Sequence, residues 1–452
     1  MKVRLNVFTT PEQQSKGEDC FLVDMLYKIV EDAPPYVLID NPLEASLAHL
    51  KPPDPIIEKS VWNGTYLFDL IHRKCFPLEK HKLFCRLITF GTYKEESKKE
   101  IQKGVMATEK EYFGLSGPSN LTNVYWNFES HQRSVAASLV QGVYILERDR
   151  QQNRQGPQAL APPWFQFFHF QLYRPLVDDA DSSIIGAIFV FNPSPYNWRY
   201  HSTQDAPRYV IAFRGTIMKP DTLLQDFISN IRVIINRLHR SSRFETGIQA
   251  AQNMVSEFGN SNNIWLAGHS LGSAMAMLVG KNMVAQMGIF LIAFLFNPPF
   301  ISVPIEGFKN EHLKDGLRIA NSVATAGITR FVKSKEERSQ SEYQFAALSP
   351  WIPHLYVNKE DHICCEYIGY FENREKMEKI GARNIGRVAT QNSISCILSS
   401  AIRKKESAEP LHLLPSAYLT VALSPSPDFR KAHGIEQWWS MDTHLQSKLY
   451  QY

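Results

Sequence analysis

The stretch at 264–274 constrains the fold of this chain more than any other segment. A short apolar run leads into Gly-His-Ser-Leu-Gly at 268–272, and small and apolar residues follow. A strand, a sharp turn and a helix in this order form the turn that presents a serine nucleophile. Backbones approach closely at such a turn, and Gly268 and Gly272 leave room for them. The stretch predicts Ser270 as a nucleophile; the alternative is a glycine-flanked turn whose serine only caps the helix.

Strand and helix patterns alternate on both sides of this turn. Apolar segments at Arg208–Phe213, Ile289–Phe296 and His354–Asn358 predict strands, while Asp221–Leu238 and Phe244–Phe258 have helical spacing. A continuous apolar run suits a strand that is covered on both faces, as in a parallel sheet. The alternation predicts a doubly wound, mostly parallel sheet with helices on both faces, and the serine turn makes an α/β-hydrolase-type sheet the expectation.

Further elements flank this core. Apolar residues have helical spacing over Glu129–Leu146, and Tyr418–Leu423 predicts a strand. The strongly aromatic segment Pro162–Pro175 is interpreted as packing beneath the sheet, with an acyl-binding wall as the alternative. The last residues of the chain are expected to form a helix.

The N-terminal residues 1–105 lack the periodicity of the rest of the chain. Prolines interrupt them, and they end in a mixed charge run at Lys94–Lys103, which is typical of a solvated linker or helix face. We therefore place a boundary before Met106. Residues 1–105 form an N-terminal extension with no assigned structure, and residues 106–452 form the α/β-hydrolase domain.

Composition narrows the classes of function. A formal net charge of +4 over 452 residues is too small to indicate a nucleic-acid partner. The six cysteines contain no Cys-x-x-Cys pair, so neither a zinc site nor a disulfide framework is expected, and no cofactor is implied. The N-terminus lacks the apolar core of a signal peptide, and the run Ile289–Phe296 is too short to span a bilayer. We expect a soluble, cytoplasmic protein without a transmembrane segment, for which peripheral membrane contact stays open.

A serine nucleophile needs a histidine to accept its proton and a carboxylate to hold that histidine in the right tautomer. In α/β-hydrolases the acid and then the histidine follow the serine along the chain. Asp361 fits the acid because it comes just after the strand that ends at Asn358. The alternative is a surface aspartate in the charged turn beside Glu360.

Two histidines are candidates for the base. His433 is predicted in a loop between a strand and a helix, from which an imidazole can reach over the edge of the sheet. His412 precedes a strand beside apolar residues, and it fits a packed core histidine better. His362 adjoins Asp361 and is poorly placed to point at the same site. We favour His433 and keep His412 as the alternative.

An oxyanion hole needs two hydrogen-bond donors. Leu271 offers a backbone N–H at a helix N-terminus, where amides lack partners and the dipole favours negative charge. Thr216 offers a second N–H, and its hydroxyl, directly after the strand end Phe213-Arg214-Gly215. The alternative for this second segment is a plain β-turn.

Together these motifs resemble the class 3 lipases. The resemblance covers about residues 106–452 and implies an oxyanion loop, a structural helix, a nucleophile, an acid and a histidine before an aromatic residue. The residues that carry these features are, in that order, Phe213–Thr216, Asp226, Gly268–Gly272, Val357-Asn358 with Asp361, and His433 with Trp438.

Three further segments resemble a plant branch often labelled GDSL esterase/lipase, although no Gly-Asp-Ser-Leu occurs in the chain. They are Met106–Lys110, Ser134–Tyr144 and His433–Tyr452. Two segments depart from the class 3 pattern: Glu245–Ile248 replaces the frequent His-x-Gly-Phe, and Asn297–Phe300 replaces the frequent Gly-x-Pro-Arg. Both lie near the site in that family, so the substrate and any lid stay open.

The residues and the resemblance predict a serine carboxylester hydrolase, a lipase or esterase that cleaves lipid or other apolar esters through an acyl-enzyme. Two alternatives stay open. One is an acyltransferase with the same triad and an alcohol acceptor. The other is a hydrolase fold that binds a ligand or a partner without catalysis.

A first prediction concerns the N-terminal extension. We expect a chain that begins at Met106 to fold and to hydrolyse esters at the rate of the full chain. The reason is that residues 1–105 lack the apolar periodicity by which helices and strands bury one face. Turnover and thermal midpoint of the two chains test this. An insoluble or inactive short chain beside an active full chain would place residues 1–105 within the hydrolase domain.

Overall fold

The computed structural model describes residues 107–193, 205–217, 231–259 without 232 and 236, 263–300, 305–306, 310–393, 411–440 and 444–452. Several predicted features lie outside the described residues. They are the N-terminal extension with its charged run Lys94–Lys103, Met106, and most of the helix predicted at Asp221–Leu238, including Asp226. The boundary before Met106 therefore stays a prediction.

An eight-stranded sheet organises the described residues, and its strands follow one another in sequence order. The pairings between the third and seventh strands are parallel, and those at the two edges are antiparallel. The strands are β1 (Phe170–Val177), β2 (Ile184–Phe191), β3 (Tyr209–Phe213), β4 (Ile264–His269), β5 (Ile292–Phe296), β6 (His354–Asn358), β7 (Ala417–Ala422) and β8 (Leu445–Tyr450).

Helices connect and cover the strands. Short 3-10 turns lie at Glu109–Glu111, Gly156–Gln158, Leu238–Arg240 and Ile435–Trp438. The α-helices with described bounds are α1 (Phe113–Ser116), α2 (Glu129–Gln151), α3 (Pro162–Gln166), α4 (Ser242–Phe258), α5 (Leu271–Met287), α6 (Glu311–Val332), α7 (Lys335–Ala347), α8 (Glu366–Lys379), α9 (Arg383–Gln391) and α10 (Phe429–His433).

The chain divides into two compact units. The larger unit is built from Val105–Lys309, Lys335–Gly381 and Ala408–Tyr452, and it contains the sheet. In the smaller unit, the described residues are 310–334 and 382–393, which carry α6 and α9. These two helices contact each other, and Lys333 Nζ donates a hydrogen bond of 2.8 Å to Asn392 Oδ1 at their ends.

Each face of the sheet has its own apolar core, because successive side chains of a strand point to opposite faces. On β3, Tyr209, Ile211 and Phe213 join one core, and Val210 and Ala212 join the other. Helices α4, α5 and α8 cover the first core, while α2, α3 and the turn at 435–438 cover the second. The predicted α/β-hydrolase-type fold, a mostly parallel sheet with helices on both faces, is confirmed.

The two edges of the sheet differ from the prediction. The chain ends in the strand β8, which pairs antiparallel with β7, and the predicted terminal helix is wrong. Most side chains of β8 are exposed, so this strand forms by backbone pairing with β7 rather than by burial of an apolar face. The aromatic segment near residue 165 does supply core residues beneath the sheet, and its end forms β1.

The turn between β4 and α5 brings three backbones into close contact. A Cβ at Gly268 would meet the carbonyl of Gly272 and would lie 2.7 Å from the Ser273 nitrogen. A Cβ at Gly272 would meet the carbonyl of Phe213 at the end of β3. Between these two glycines Ser270 has φ 55° and ψ −123°, a conformation that non-glycine residues adopt only when the surroundings enforce it. The close approach predicted for this turn is present.

A second prediction concerns this turn. We expect Gly268→Ala to lower the midpoint of urea unfolding strongly, because overpacking against rigid backbone costs on the order of 1–3 kcal/mol or more. Gly327→Ala is the matched control. A Cβ added at Gly327, inside α6, would meet no described atom within 4 Å, so alanine should stabilise by about 0.5–1 kcal/mol. Equal midpoints for the two variants would contradict the close approach.

Candidate active site

Ser270 lies between the last residue of β4 and the first residue of α5. Its backbone N–H donates a 2.9 Å hydrogen bond to the carbonyl of Phe296 at the end of β5. The residue is almost wholly buried, with 1% of its surface exposed. The serine is therefore held at the carboxyl end of the parallel strands, where functional sites of open α/β sheets lie.

A hydrogen-bonded chain joins Ser270, His433 and Asp361. His433 Nε2 lies 2.9 Å from Ser270 Oγ, and His433 Nδ1 lies 2.8 Å from Asp361 Oδ2. A carboxylate only accepts, so Nδ1 carries a proton and donates a hydrogen bond to Asp361, and in the neutral ring Nε2 is then the acceptor for the serine hydroxyl. The structure thus brings together the three residues that the sequence predicted as nucleophile, base and acid.

Asp361 follows β6 and is fully buried, so it is not the solvated surface aspartate of the alternative interpretation. Its Oδ2 also accepts from Asn297 Nδ2 at 2.7 Å, and its Oδ1 accepts from the Ile363 N–H at 3.0 Å. Burial alone would raise the pKa of this carboxyl, but the charge that His433 carries when protonated, and hydrogen bonds from His433, Cys364 and Ile363, hold it below its usual value. Asp361 is therefore ionised at neutral pH.

His433 is the last residue of α10, whereas the sequence predicted it in a loop. The helix is only five residues long, too short for a periodic pattern to reveal it. Asp428 caps it by accepting a 2.9 Å hydrogen bond from the Lys431 N–H. The ring of Phe429 stacks on the imidazole of His433, with centroids 5.3 Å apart. The cap and the stack together fix the direction of the imidazole.

His412 has a different environment. It is buried, and its ring packs edge-on against Phe300 with centroids 4.5 Å apart. Burial and the nearby charge of Lys281 lower the pKa of His412 to about 3. This histidine is a neutral, packed side chain, and it is not part of the chain that joins Ser270 to Asp361. His362, the neighbour of Asp361, is not part of that chain either.

The two predicted oxyanion donors lie on segments next to Ser270. Leu271 is the first residue of α5, whose first N–H groups have no acceptor within the helix. Gly215 touches the serine, since a Cβ on it would lie 2.9 Å from Ser270 Cβ, and Thr216 follows it directly. The guanidinium of Arg214 donates a 2.8 Å hydrogen bond to the Gly215 carbonyl and anchors this loop. The roles of Thr216 and Leu271 as donors stay predictions.

A second hydrogen-bonded chain, which the sequence analysis did not predict, runs beside the triad. The Gly215 N–H donates to Tyr144 Oη at 2.7 Å, and Tyr144 Oη lies 2.9 Å from His269 Nδ1. His269 Nε2 lies 2.7 Å from the backbone carbonyl of His433. Tyr144 comes from α2 and His269 from β4, so the chain links the Gly215 loop to the backbone of His433.

The donor and the acceptor of each hydrogen bond in this chain follow from its two end groups, the Gly215 N–H and the His433 carbonyl. A carbonyl only accepts, so His269 Nε2 carries a proton. Burial, and then the charge of His433, lower the pKa of His269 to about 3, so its ring is neutral and Nδ1 accepts from the Tyr144 hydroxyl. The signal for His269 was present in the Gly-His-Ser-Leu-Gly motif, but nothing in the local sequence indicated Tyr144 as its partner.

The described ranges contain no helix that is both long and apolar enough to cross a membrane. The fold and the Ser–His–Asp arrangement define the chain as an α/β-hydrolase. Among known proteins it is similar to GDSL esterase/lipase At4g10955 of Arabidopsis thaliana, with 49% identity over 357 residues that cover 77% of this chain and 100% of the relative. The chain therefore belongs to this lipase/esterase family, in agreement with the predicted carboxylic ester hydrolase.

Two further comparisons add little to this assignment. No protein-family profile matches the chain. Among solved structures, the chain is similar to the lipase from Rhizopus microsporus var. chinensis, with a TM-score of 0.27 and 11% identity over 52% of this chain and 69% of that chain. The family assignment rests on the Arabidopsis relative alone.

A third prediction concerns the second chain. We expect Tyr144→Phe to lower kcat/KM for a p-nitrophenyl ester roughly tenfold. Phenylalanine leaves the Gly215 N–H without its acceptor, and a buried donor without a partner costs on the order of 1–3 kcal/mol. We expect part of this cost to appear in the reaction barrier, where about 1.4 kcal/mol is a factor of ten in rate. Tyr343→Phe is the matched control, because Tyr343 lies on α7 with 73% of its surface exposed. Wild-type kcat/KM in Tyr144→Phe would show that this chain does not support the site.

Proposed function

We propose that this chain is a serine carboxylester hydrolase of the class 3 lipase-like branch, in which Ser270 is the nucleophile, His433 the base and Asp361 the acid. One observation carries the proposal: a continuous, buried hydrogen-bonded chain, with distances of 2.8 Å and 2.9 Å, joins the three side chains. The lipase/esterase family of the chain agrees with this chemistry.

The geometry supports a two-step reaction through an acyl-enzyme. His433 Nε2 takes the proton of the Ser270 hydroxyl while Oγ attacks the ester carbonyl, and the imidazolium then protonates the leaving alcohol. A water, activated by His433 in the same way, releases the acid. Asp361 stays ionised throughout and stabilises the imidazolium. The N–H groups of Leu271 and Thr216 stabilise the negative charge that develops on the carbonyl oxygen.

We propose lipid or other apolar esters as the substrate class. The triad is buried, with 4% of His433 and none of Asp361 exposed, and a buried site favours an uncharged acyl group over a charged one. The Arabidopsis relative is itself named an esterase/lipase. A substrate of this class would reach the enzyme from a membrane or lipid surface, which fits peripheral contact with that surface.

A fourth prediction tests the three roles. We expect Ser270→Ala and His433→Ala each to lower kcat for p-nitrophenyl butyrate by roughly 10⁴-fold or more, because members of a triad act as a unit. For the same reason the double variant should lose little more than either single variant. A fluorophosphonate probe should label wild-type enzyme at Ser270 and leave Ser270→Ala unlabelled.

His412→Ala is the matched histidine control. It should keep most of the wild-type kcat and lower the thermal midpoint, because it opens a cavity beside Phe300. Wild-type turnover in His433→Ala, together with loss of turnover in a folded His412→Ala, would transfer the role of base to His412. Wild-type enzyme that neither hydrolyses esters nor reacts with the probe would favour a hydrolase fold without catalysis.

A further inference from the structure

Asn297 stands at the end of β5 with a left-handed backbone, φ 47°, and no exposed surface. Its N–H donates a 2.8 Å hydrogen bond to the carbonyl of Tyr356 on β6. Asparagine is one of the few non-glycine residues that tolerate this conformation, although it costs free energy. A buried polar residue in such a conformation calls for an explanation in its side-chain contacts.

Both polar atoms of the Asn297 side chain, Nδ2 and Oδ1, form hydrogen bonds. Nδ2 donates to Asp361 Oδ2 at 2.7 Å and to the carbonyl of Ala432 at 3.1 Å. Oδ1 accepts from the indole N–H of Trp438 at 2.6 Å. An indole nitrogen only donates, so the amide has a single orientation, with its NH₂ group toward Asp361 and Ala432.

These contacts join the segments that carry the acid and the base. Asp361 Oδ2 is the oxygen that also accepts from His433 Nδ1, and Ala432 is the residue before His433. The two hydrogens of one NH₂ group therefore hold the carboxylate oxygen and the backbone of the base in a fixed relation. Trp438, in the turn that follows the base, holds the amide itself.

We propose that Asn297 is a positioning residue, which sets the distance and direction between Asp361 and His433 through its side-chain amide. This inference rests on the proposed triad. Among its hydrogen bonds to described residues, none goes to Ser270 Oγ. Without the amide, Asp361 Oδ2 keeps His433 Nδ1 and Cys364 Sγ as donors but loses the shortest of its hydrogen bonds. The segment before His433 also loses its hydrogen bond to the residue after β5. The geometry between Asp361 and His433 is then less exact, so the barrier to proton transfer rises while substrate binding stays the same.

Two pairs of matched variants test this role. Asn297→Gly removes the amide and keeps the left-handed backbone, and its control is Asn153→Gly, an asparagine outside the core with φ 53°. Trp438→Phe removes the N–H that orients the amide, and its control is Trp265→Phe, an equally buried tryptophan in the same core. Three measurements are made on each full-length variant. They are kcat and KM for p-nitrophenyl butyrate, the thermal midpoint, and the downfield NMR resonance of the His433 Nδ1 proton.

We expect Asn297→Gly to lower kcat roughly 10- to 100-fold with little change in KM, since a misplacement of about 1 Å at a reacting group can cost this much. The His433 Nδ1 resonance should move upfield or broaden, which reports a weaker bond to Asp361. Trp438→Phe should show the same changes to a smaller degree. Both controls should keep wild-type kcat and the wild-type resonance.

Three results would overturn the proposal. One is wild-type kcat and resonance in Asn297→Gly. Another is a lower thermal midpoint or a failure to fold in Asn297→Gly, combined with a folded Trp438→Phe whose His433 resonance is that of the wild type. That combination would make the role of Asn297 purely structural. The third is a loss of kcat in Asn153→Gly or Trp265→Phe as large as the loss in the variant that it controls. The resonance is measured without substrate, so an inactive wild-type enzyme would refute ester hydrolysis and still leave the positioning role open to this test.

Discussion

The close approach of the β3, β4 and α5 backbones around residue 270 is the constraint on which the rest of the structure depends. It requires glycine at 268 and 272, where any side chain would meet backbone. It also holds Ser270 in a strained conformation, at the start of a helix and beside the loop after β3. Strain of this kind, on the order of 1–3 kcal/mol, persists only where the surrounding packing enforces it, and the cores on both faces of the sheet provide that packing.

The polar groups around the serine form two hydrogen-bonded chains that meet at His433. One chain leads through the imidazole of His433 to Asp361, and the other leads through Tyr144 and His269 to the backbone carbonyl of His433. In both chains a group that can only accept fixes the position of every proton. Buried polar groups are costly unless they are paired, so complete pairing makes this arrangement rigid as well as stable. The site is therefore organised before a substrate arrives, which is what electrostatic stabilisation of a transition state requires.

The sheet itself shows how the fold supports the site. Each strand from β3 to β7 runs parallel to its neighbours in this series, so their carboxyl ends meet at one edge. Ser270 follows β4, Asn297 follows β5 and Asp361 follows β6, so the proposed nucleophile, positioning residue and acid come from three adjacent strands. His433, the proposed base, lies outside this series, on the short helix after β7.

The parallel centre of the fold, the turn at Ser270 and the position of Asp361 after β6 could all be predicted from the amino-acid sequence, because apolar periodicity and glycine positions are local signals. The edge strands β1 and β8, and the choice between His433 and His412 as the neighbour of Ser270, became visible only in the folded chain. The same holds for the partners of Tyr144 and Asn297. Each of these depends on backbone pairing or on buried polar contacts between residues far apart in the chain, as in Asn297 with Asp361, which are 64 positions apart. Such contacts leave no periodic pattern along the chain, because they depend on which distant segments the sheet brings together.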